Sequence, residues 1–141
     1  MSILYDELRR RKTVVADTTS FLVEESVPFY HVWFTTRDEQ PLLAGDLAER
    51  VRGALQASSA DARCEMHAVS VAASHVHLVL HLDSDDGVQP AVHLLQERAA
   101  KTAGLPAADA WAPTFRRQRV PLTDLARIVG QVTDAGAVHE H

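Results

Sequence analysis

Hydrophobic residues follow a strand-like period in some parts of the chain and a helical period in others, which predicts a mixed fold. Residues 29–36 are β-branched and aromatic, as is typical of a strand. Residues 46–57 place apolar side chains at helical spacing, which predicts a first helix. Residues 64–72 and 75–82 predict two strands, and Ala73-Ser74 between them is short enough for an antiparallel hairpin.

The C-terminal half predicts a second helix, a last strand and a final helix. Residues 88–103 are helical in pattern, with Gly104 after them as a stop, and residues 115–120 predict the strand. Thr123 is a candidate cap for the final helix, and Gly136 marks its expected end. The order predicts an α+β, ferredoxin-like split βαβ fold, an antiparallel sheet with helices on one face and an additional C-terminal helix. The other face of the sheet is then left for function.

The length of 141 residues fits one principal domain. We assign this domain to residues 29–141 and treat residues 1–28 as an N-terminal extension, which either covers the cleft or extends the sheet. No apolar stretch approaches the roughly 20 residues that span a bilayer, and the N-terminus lacks the pattern of a secretory signal. We therefore expect a cytoplasmic protein without a membrane partner.

Charge and cysteine content narrow the possible functions. The formal net charge of −5 argues against the whole-surface electrostatic footprint of strong nucleic-acid binders. A local basic cluster at residues 116–119 can nevertheless contact phosphates, although a solvated face is the simpler interpretation. The single cysteine, Cys64, excludes an intramolecular disulfide and a cysteine-rich zinc site, and its apolar neighbours predict a place in the core.

The strand that begins at His75 carries the main candidate chemistry. Strand side chains alternate between faces, so His75, His77, Val79 and His81 share one face and the intervening leucines and valine share the other. Two imidazoles one strand repeat apart, roughly 6–7 Å between Cα atoms, can converge on one divalent ion. The spacing alone favours the simpler interpretation, polar residues on a solvent-facing strand, so further sequence context has to decide.

That context resembles the small HUH single-tyrosine transposases of bacterial insertion sequences, including the repeat-associated tyrosine transposases. The resemblance rests on the opening strand Tyr30-His31-Val32-Trp33-Phe34-Thr35, a helix, and then Ser74-His75-Val76-His77-Leu78-Val79-Leu80. It covers roughly residues 30–135 and depends on the order of elements as much as on the short motif. In this family a late helix carries Tyr-x-x-x-Gln.

The resemblance implies a metal-assisted mechanism on DNA. His75, His77 and Gln131 would hold Mg²⁺ or Mn²⁺ against a phosphate of single-stranded or hairpin DNA, and a tyrosine would attack to form a covalent phosphotyrosine. The position of that tyrosine is occupied by Arg127, which stays protonated and cannot attack. We therefore expect the covalent step to be lost and Arg127 to contribute a phosphate contact instead. The predicted DNA-binding residues also include three arginines of the last strand: Arg116, Arg117 and Arg119.

Three functions compete on this basis. The first is a transposase-like DNA-binding protein without strand-transfer activity. The second is a structural or interaction homodimer without DNA chemistry, which the acidic charge supports. The third is a metal-dependent nuclease in which water replaces the tyrosine. The remaining tyrosines are Tyr5, in the extension, and Tyr30, for which an aromatic core role is expected. A homodimer is the expectation from the resemblance.

Overall fold

A computed structural model describes residues 28–139, with side chains described through residue 134. Apart from residue 28, the predicted extension lies outside the described residues. The chain forms one four-stranded antiparallel sheet in the order β2-β3-β1-β4. The strands are β1 (Phe29–Thr35), β2 (Glu65–Val71), β3 (His75–His81) and β4 (Arg116–Val120). The helices are α1 (Asp46–Ala57), α2 (Val88–Ala103), the short α3 (Ala107–Ala110) and α4 (Leu125–His139). The predicted α+β fold class is confirmed.

Helices α1 and α2 pack against one face of the sheet and enclose the main core. Alternation along β1 and β3 supplies the sheet side of this core, and the apolar stripes of the helices supply the other side. Its buried residues include Val32, Phe34, Val76, Leu78, Leu80, Val51, Leu55, Val92 and Leu95. Trp111 closes one end of this core, where its indole N–H donates to the Gln96 carbonyl oxygen at 2.8 Å.

Helix α4 packs against the opposite face, which the sequence had left to function. A second core forms there between Leu125 and Val132 of α4 and four buried sheet residues, Phe29, Ala68, Val79 and Val120. Val79 lies on the face of His75 and His77, yet it is fully buried. Only the part of this face beyond α4 therefore remains for a site.

The two ends of α4 differ from the sequence prediction. Thr123 lies inside a 3-10 turn, Leu122–Asp124, that follows Pro121, so it does not cap the helix, which begins at Leu125. The helix also continues past Gly136 to His139. A glycine inside a helix costs about 1 kcal/mol relative to alanine, which weakens a helix without ending it. No helix within residues 28–139 combines the length and apolarity needed to cross a membrane.

Candidate functional site

The strand registers show which side chains share the part of this face that lies beyond α4. Residues directly opposite each other in antiparallel strands point to the same face. One such row crosses all four strands and consists of Ser70, His77, Trp33 and Arg116. His75 occupies the next position on this face, opposite Thr35. We call the four residues of this row, together with His75, the histidine face. Its members are Ser70, His75, His77, Trp33 and Arg116.

His75 and His77 lie side by side on this face, as alternation predicts. Their ring centroids are 5.4 Å apart with the planes nearly perpendicular, and both side chains are partly exposed. Two imidazoles that share one ion at metal–nitrogen distances of about 2.1 Å place their ring centroids roughly 5 Å apart. The observed spacing therefore fits a common metal ion.

The Nδ1 atom of each histidine contacts a neighbouring side chain. His31 Nε2 lies 3.1 Å from His77 Nδ1, and Ser74 Oγ lies 3.4 Å from His75 Nδ1. Burial lowers the pKa of His31, so this ring is neutral near pH 7 and its Nε2 can accept a hydrogen bond. With His77 Nδ1–H as the donor, a metal ion at His77 would be bound through Nε2. Hydrogen bonds of this kind orient metal-binding histidines.

Within the described residues, acidic and thiol side chains do not join the histidine pair in a metal-binding cluster. Within the described residues there is no group of three or more His, Cys, Asp or Glu that could hold a metal ion. A divalent ion at His75 and His77 would therefore complete its shell with water, a phosphate oxygen or an amide oxygen. The histidine pair fits a metal in this form.

Gln131 and Arg127 lie on the exposed side of α4. The apolar stripe of this helix packs on the sheet, so residues away from the stripe face outward. The Arg127 side chain is 58% exposed and lies 3.6 Å from the Asp124 carboxylate. Gln131 is also exposed, and the hydrogen bonds of the described residues do not join it to either histidine. The structure places His75 and His77 side by side, and ligation by Gln131 stays a prediction.

His81 belongs to a different environment, although it shares the face of His77. It lies four residues further along β3, roughly 13 Å away at about 3.3 Å per residue, which is too far to share an ion. Its ring contacts Phe29 at 4.9 Å. His67, whose Nε2 is 2.7 Å from Glu65 Oε1, contacts Phe29 from β2. Burial lowers the pKa of both histidines, although Glu65 opposes the shift.

The three arginines of β4 divide between the two faces. Arg116 pairs with Trp33 on the histidine face, whereas Arg117 pairs with the core residue Val32. Arg117 and Arg119 extend on the helical side toward Asp85, to its carbonyl oxygen at 3.4 Å and its carboxylate at 4.0 Å respectively. Of these three arginines, the structure places only Arg116 on the face of the histidine pair.

Comparisons with known proteins agree with this arrangement. The sequence profile described as "Transposase IS200 like" matches residues 26–104, more than half of the chain. The chain belongs to the IS200-like transposase family. The match includes His75 and His77 and ends before β4 and α4, so it does not extend to Arg127 or Gln131. No curated protein matches the chain.

Solved structures of transposases share the fold of this family member. A REP-associated tyrosine transposase bound to a REP hairpin superposes with a TM-score of 0.63 at 19% identity, covering 79% of this chain and 68% of that one. A Deinococcus radiodurans R1 protein assigned as a transposase gives a TM-score of 0.58 at 19% identity, covering 75% and 88%. At this identity the likeness establishes the fold.

Tyr30 does not occupy a nucleophile position in this IS200-like chain. It pairs with Leu80 on the helical side of the sheet, is 3% exposed, and belongs to the main core. The sheet separates its hydroxyl from His75 and His77. The predicted core role of Tyr30 is confirmed, and Tyr5 lies outside the described residues.

Sequence reasoning did not single out Trp33 as a site residue. The signal was available in the opening strand, because alternation places Trp33 on the face of His31 while Tyr30 and Val32 point to the core. In the structure Trp33 contacts His31 and His77, with ring centroids 4.7 Å and 6.3 Å away. Trp33 therefore joins the candidate site.

Proposed function

We propose that this family member binds single-stranded or hairpin DNA on its histidine face and has lost covalent strand transfer. The observation that carries the proposal is the pair His75 and His77, adjacent on the open part of the sheet with each Nδ1 contacting a neighbouring side chain. The hairpin bound to the structurally similar REP-associated transposase supports the choice of DNA. Arg127 at the expected tyrosine position and the burial of Tyr30 support the loss of the covalent step.

A divalent ion, Mg²⁺ or Mn²⁺, is part of this proposal. The Nε2 atoms of His75 and His77 would hold it, and a bound ion would polarise a phosphate oxygen and fix its position. Gln131 is the third ligand that the resemblance implies. Its ligation stays a prediction, which the variant Gln131→Ala tests through the affinity for Mn²⁺.

The decisive experiment uses a labelled hairpin with a single-stranded flank, incubated with pure protein and Mn²⁺. Fluorescence anisotropy measures binding, and a denaturing gel run with and without protease detects a covalent adduct. We expect binding without an adduct. The double variant His75→Ala/His77→Ala should bind Mn²⁺ more weakly and keep its circular dichroism spectrum. His93→Ala, on the exposed surface of α2, is the matched control.

Each other outcome contradicts a definite part of the proposal. A protease-sensitive adduct would show that covalent chemistry persists, and its loss in Tyr5→Phe would identify the nucleophile. A free cleaved product would favour a nuclease that uses water. Failure to bind any hairpin would leave the interaction protein without DNA chemistry as the better hypothesis.

The His31–His77 contact provides an independent test of the metal site. His31→Phe removes the hydrogen-bonding partner of His77 Nδ1 and keeps an aromatic ring in place. Loss of such an orienting partner weakens metal binding by roughly 10–100-fold. Calorimetry with Mn²⁺ measures the change, and unaltered affinity would contradict the role assigned to His31.

Assembly and location complete the proposal. A homodimer follows from the family resemblance, and analytical ultracentrifugation of the full chain tests it. A cytoplasmic location follows from the sequence prediction, and fractionation of expressing cells tests it.

A further inference from the structure

We propose that Trp33 is a stacking platform for one base of single-stranded DNA, and that Arg116 beside it contacts the phosphate backbone. The inference rests on the proposed DNA-binding function and assigns the surface that performs it. The geometry of the two side chains, their exposure and their charge carry the argument.

The two tryptophans of the chain have opposite environments. Trp111 is 4% exposed, and its N–H is hydrogen bonded to a carbonyl oxygen in the main core. Trp33 is partly exposed on the histidine face, and its ring contacts are with the imidazoles of His31 and His77. The apolar contacts of α4 lie on Phe29 and Val79, further along the sheet. Trp33 therefore presents an aromatic surface on a sheet, as single-strand-binding proteins do.

Arg116 places a positive charge directly beside this indole. It is the cross-strand partner of Trp33, it is exposed, and within residues 28–134 it has no ion pair. Arg117 and Arg119 differ, because both extend to Asp85 on the opposite face. On a chain of net charge −5, an unpaired arginine next to an aromatic ring is complementary to a nucleotide, which offers a flat base and an anionic phosphate.

The position of His77 relates this surface to the metal pair. The planes of Trp33 and His77 are within 17° of parallel, with centroids 6.3 Å apart. A base stacked on the indole would bring its own phosphates beside His77 and Arg116. Bases of a duplex already stack on one another, whereas a single strand leaves its base faces available. The surface therefore fits single-stranded DNA.

The test uses intrinsic fluorescence and a short oligothymidine of about ten nucleotides. In a Trp111→Phe background, Trp33 is the only tryptophan, and we expect its emission to be quenched as the oligonucleotide binds. Trp33→Ala should weaken binding roughly tenfold or more in an anisotropy assay, and Trp33→Phe should retain most of the affinity. If Trp111→Phe fails to fold, the wild-type protein is compared with Trp33→Phe instead. Quenching that occurs in the wild type and is absent from Trp33→Phe is then due to Trp33.

Arg116 is tested against its neighbour on the other face. Arg116→Gln should weaken binding and reduce the slope of log affinity against log salt by about 0.7, the value for one phosphate contact of a single strand. Arg117→Gln is the matched control, since it removes the same charge one residue along β4, and we expect a smaller loss. Equal losses would contradict the assignment to the histidine face.

The outcomes separate this inference from the proposed function. Tight binding of wild type together with unchanged affinity of Trp33→Ala overturns the inference and leaves DNA binding intact. Equal affinity for the oligonucleotide and for its duplex overturns stacking as the mode of recognition. No binding by wild type overturns both proposals.

Discussion

Tyr30 offers a sharp test of the division between core and site, because its hydroxyl is buried and has no hydrogen-bonding partner within the described residues. The ring lies in the main core and is 3% exposed. A buried hydroxyl without a partner costs about 1–3 kcal/mol relative to one in water. Tyr30→Phe removes that atom and keeps the ring, so we expect the free energy of unfolding to rise by about 1 kcal/mol.

The control at the same position removes the ring as well. Tyr30→Ala should lower the free energy of unfolding by about 3–5 kcal/mol, because it leaves a cavity under α1 and α2. Urea denaturation measures both changes, with the transition midpoint moving in opposite directions at an unchanged m-value. In thermal unfolding the gain of Tyr30→Phe corresponds to roughly 4 °C.

A loss of stability in Tyr30→Phe would refute this reasoning, because it would mean that the hydroxyl has a partner that it needs. The same variant also addresses chemistry. Any covalent DNA adduct formed by the wild-type protein should persist in Tyr30→Phe, since the hydroxyl lies on the helical side of the sheet. Disappearance of an adduct in this variant would show that Tyr30 reaches the DNA.

Two further predictions concern α4 and the half-buried His81. Gly130→Ala should raise the free energy of unfolding by about 1 kcal/mol in urea denaturation, because a Cβ there meets nothing within 4 Å. Gly45→Ala is its control and should be destabilising, since Gly45 has φ +67°; a destabilised Gly130→Ala would reveal a close contact. Burial lowers the pKa of His81 below its ordinary value of 6.5, so unfolding binds a proton and stability falls as the pH drops below that value. His81→Gln should flatten this decline between about pH 7 and pH 5; an unchanged slope would exclude His81 as its source.

Local periodicity predicted most elements of the fold. The expected bounds of the first two helices agree with Asp46–Ala57 and Val88–Ala103. The agreement arises because the apolar stripe of each helix, which packs on the sheet, extends over the same range of residues. Alternation along β3 also placed His75 and His77 on one face, because strand geometry leaves little freedom within a run of seven residues. These features depend on neighbouring residues in sequence.

Features that depend on long-range packing could not be predicted in this way. The apolar stripe of α4 indicates that the helix packs on something, and it does not say which face of the sheet it covers. Val79 gave a partial indication, because an apolar side chain between histidines on one face of a strand is expected to be buried by another element. Strand alternation separates Arg116 from Arg117 and Arg119, and the register of β4 against β1 decides which of them faces the histidines.

Under the proposed function, an arginine in place of a tyrosine at position 127 is structurally compatible with a retained histidine face. The elements that carry His75, His77 and Trp33 are β1 and β3, whose positions depend on the core beneath α1 and α2. Arg127 lies on the outer side of α4, where its side chain is 58% exposed and contributes nothing to either core. A change at position 127 can therefore remove the nucleophile without disturbing the surface that would bind DNA. The proposed binding surface therefore does not depend on a tyrosine at position 127.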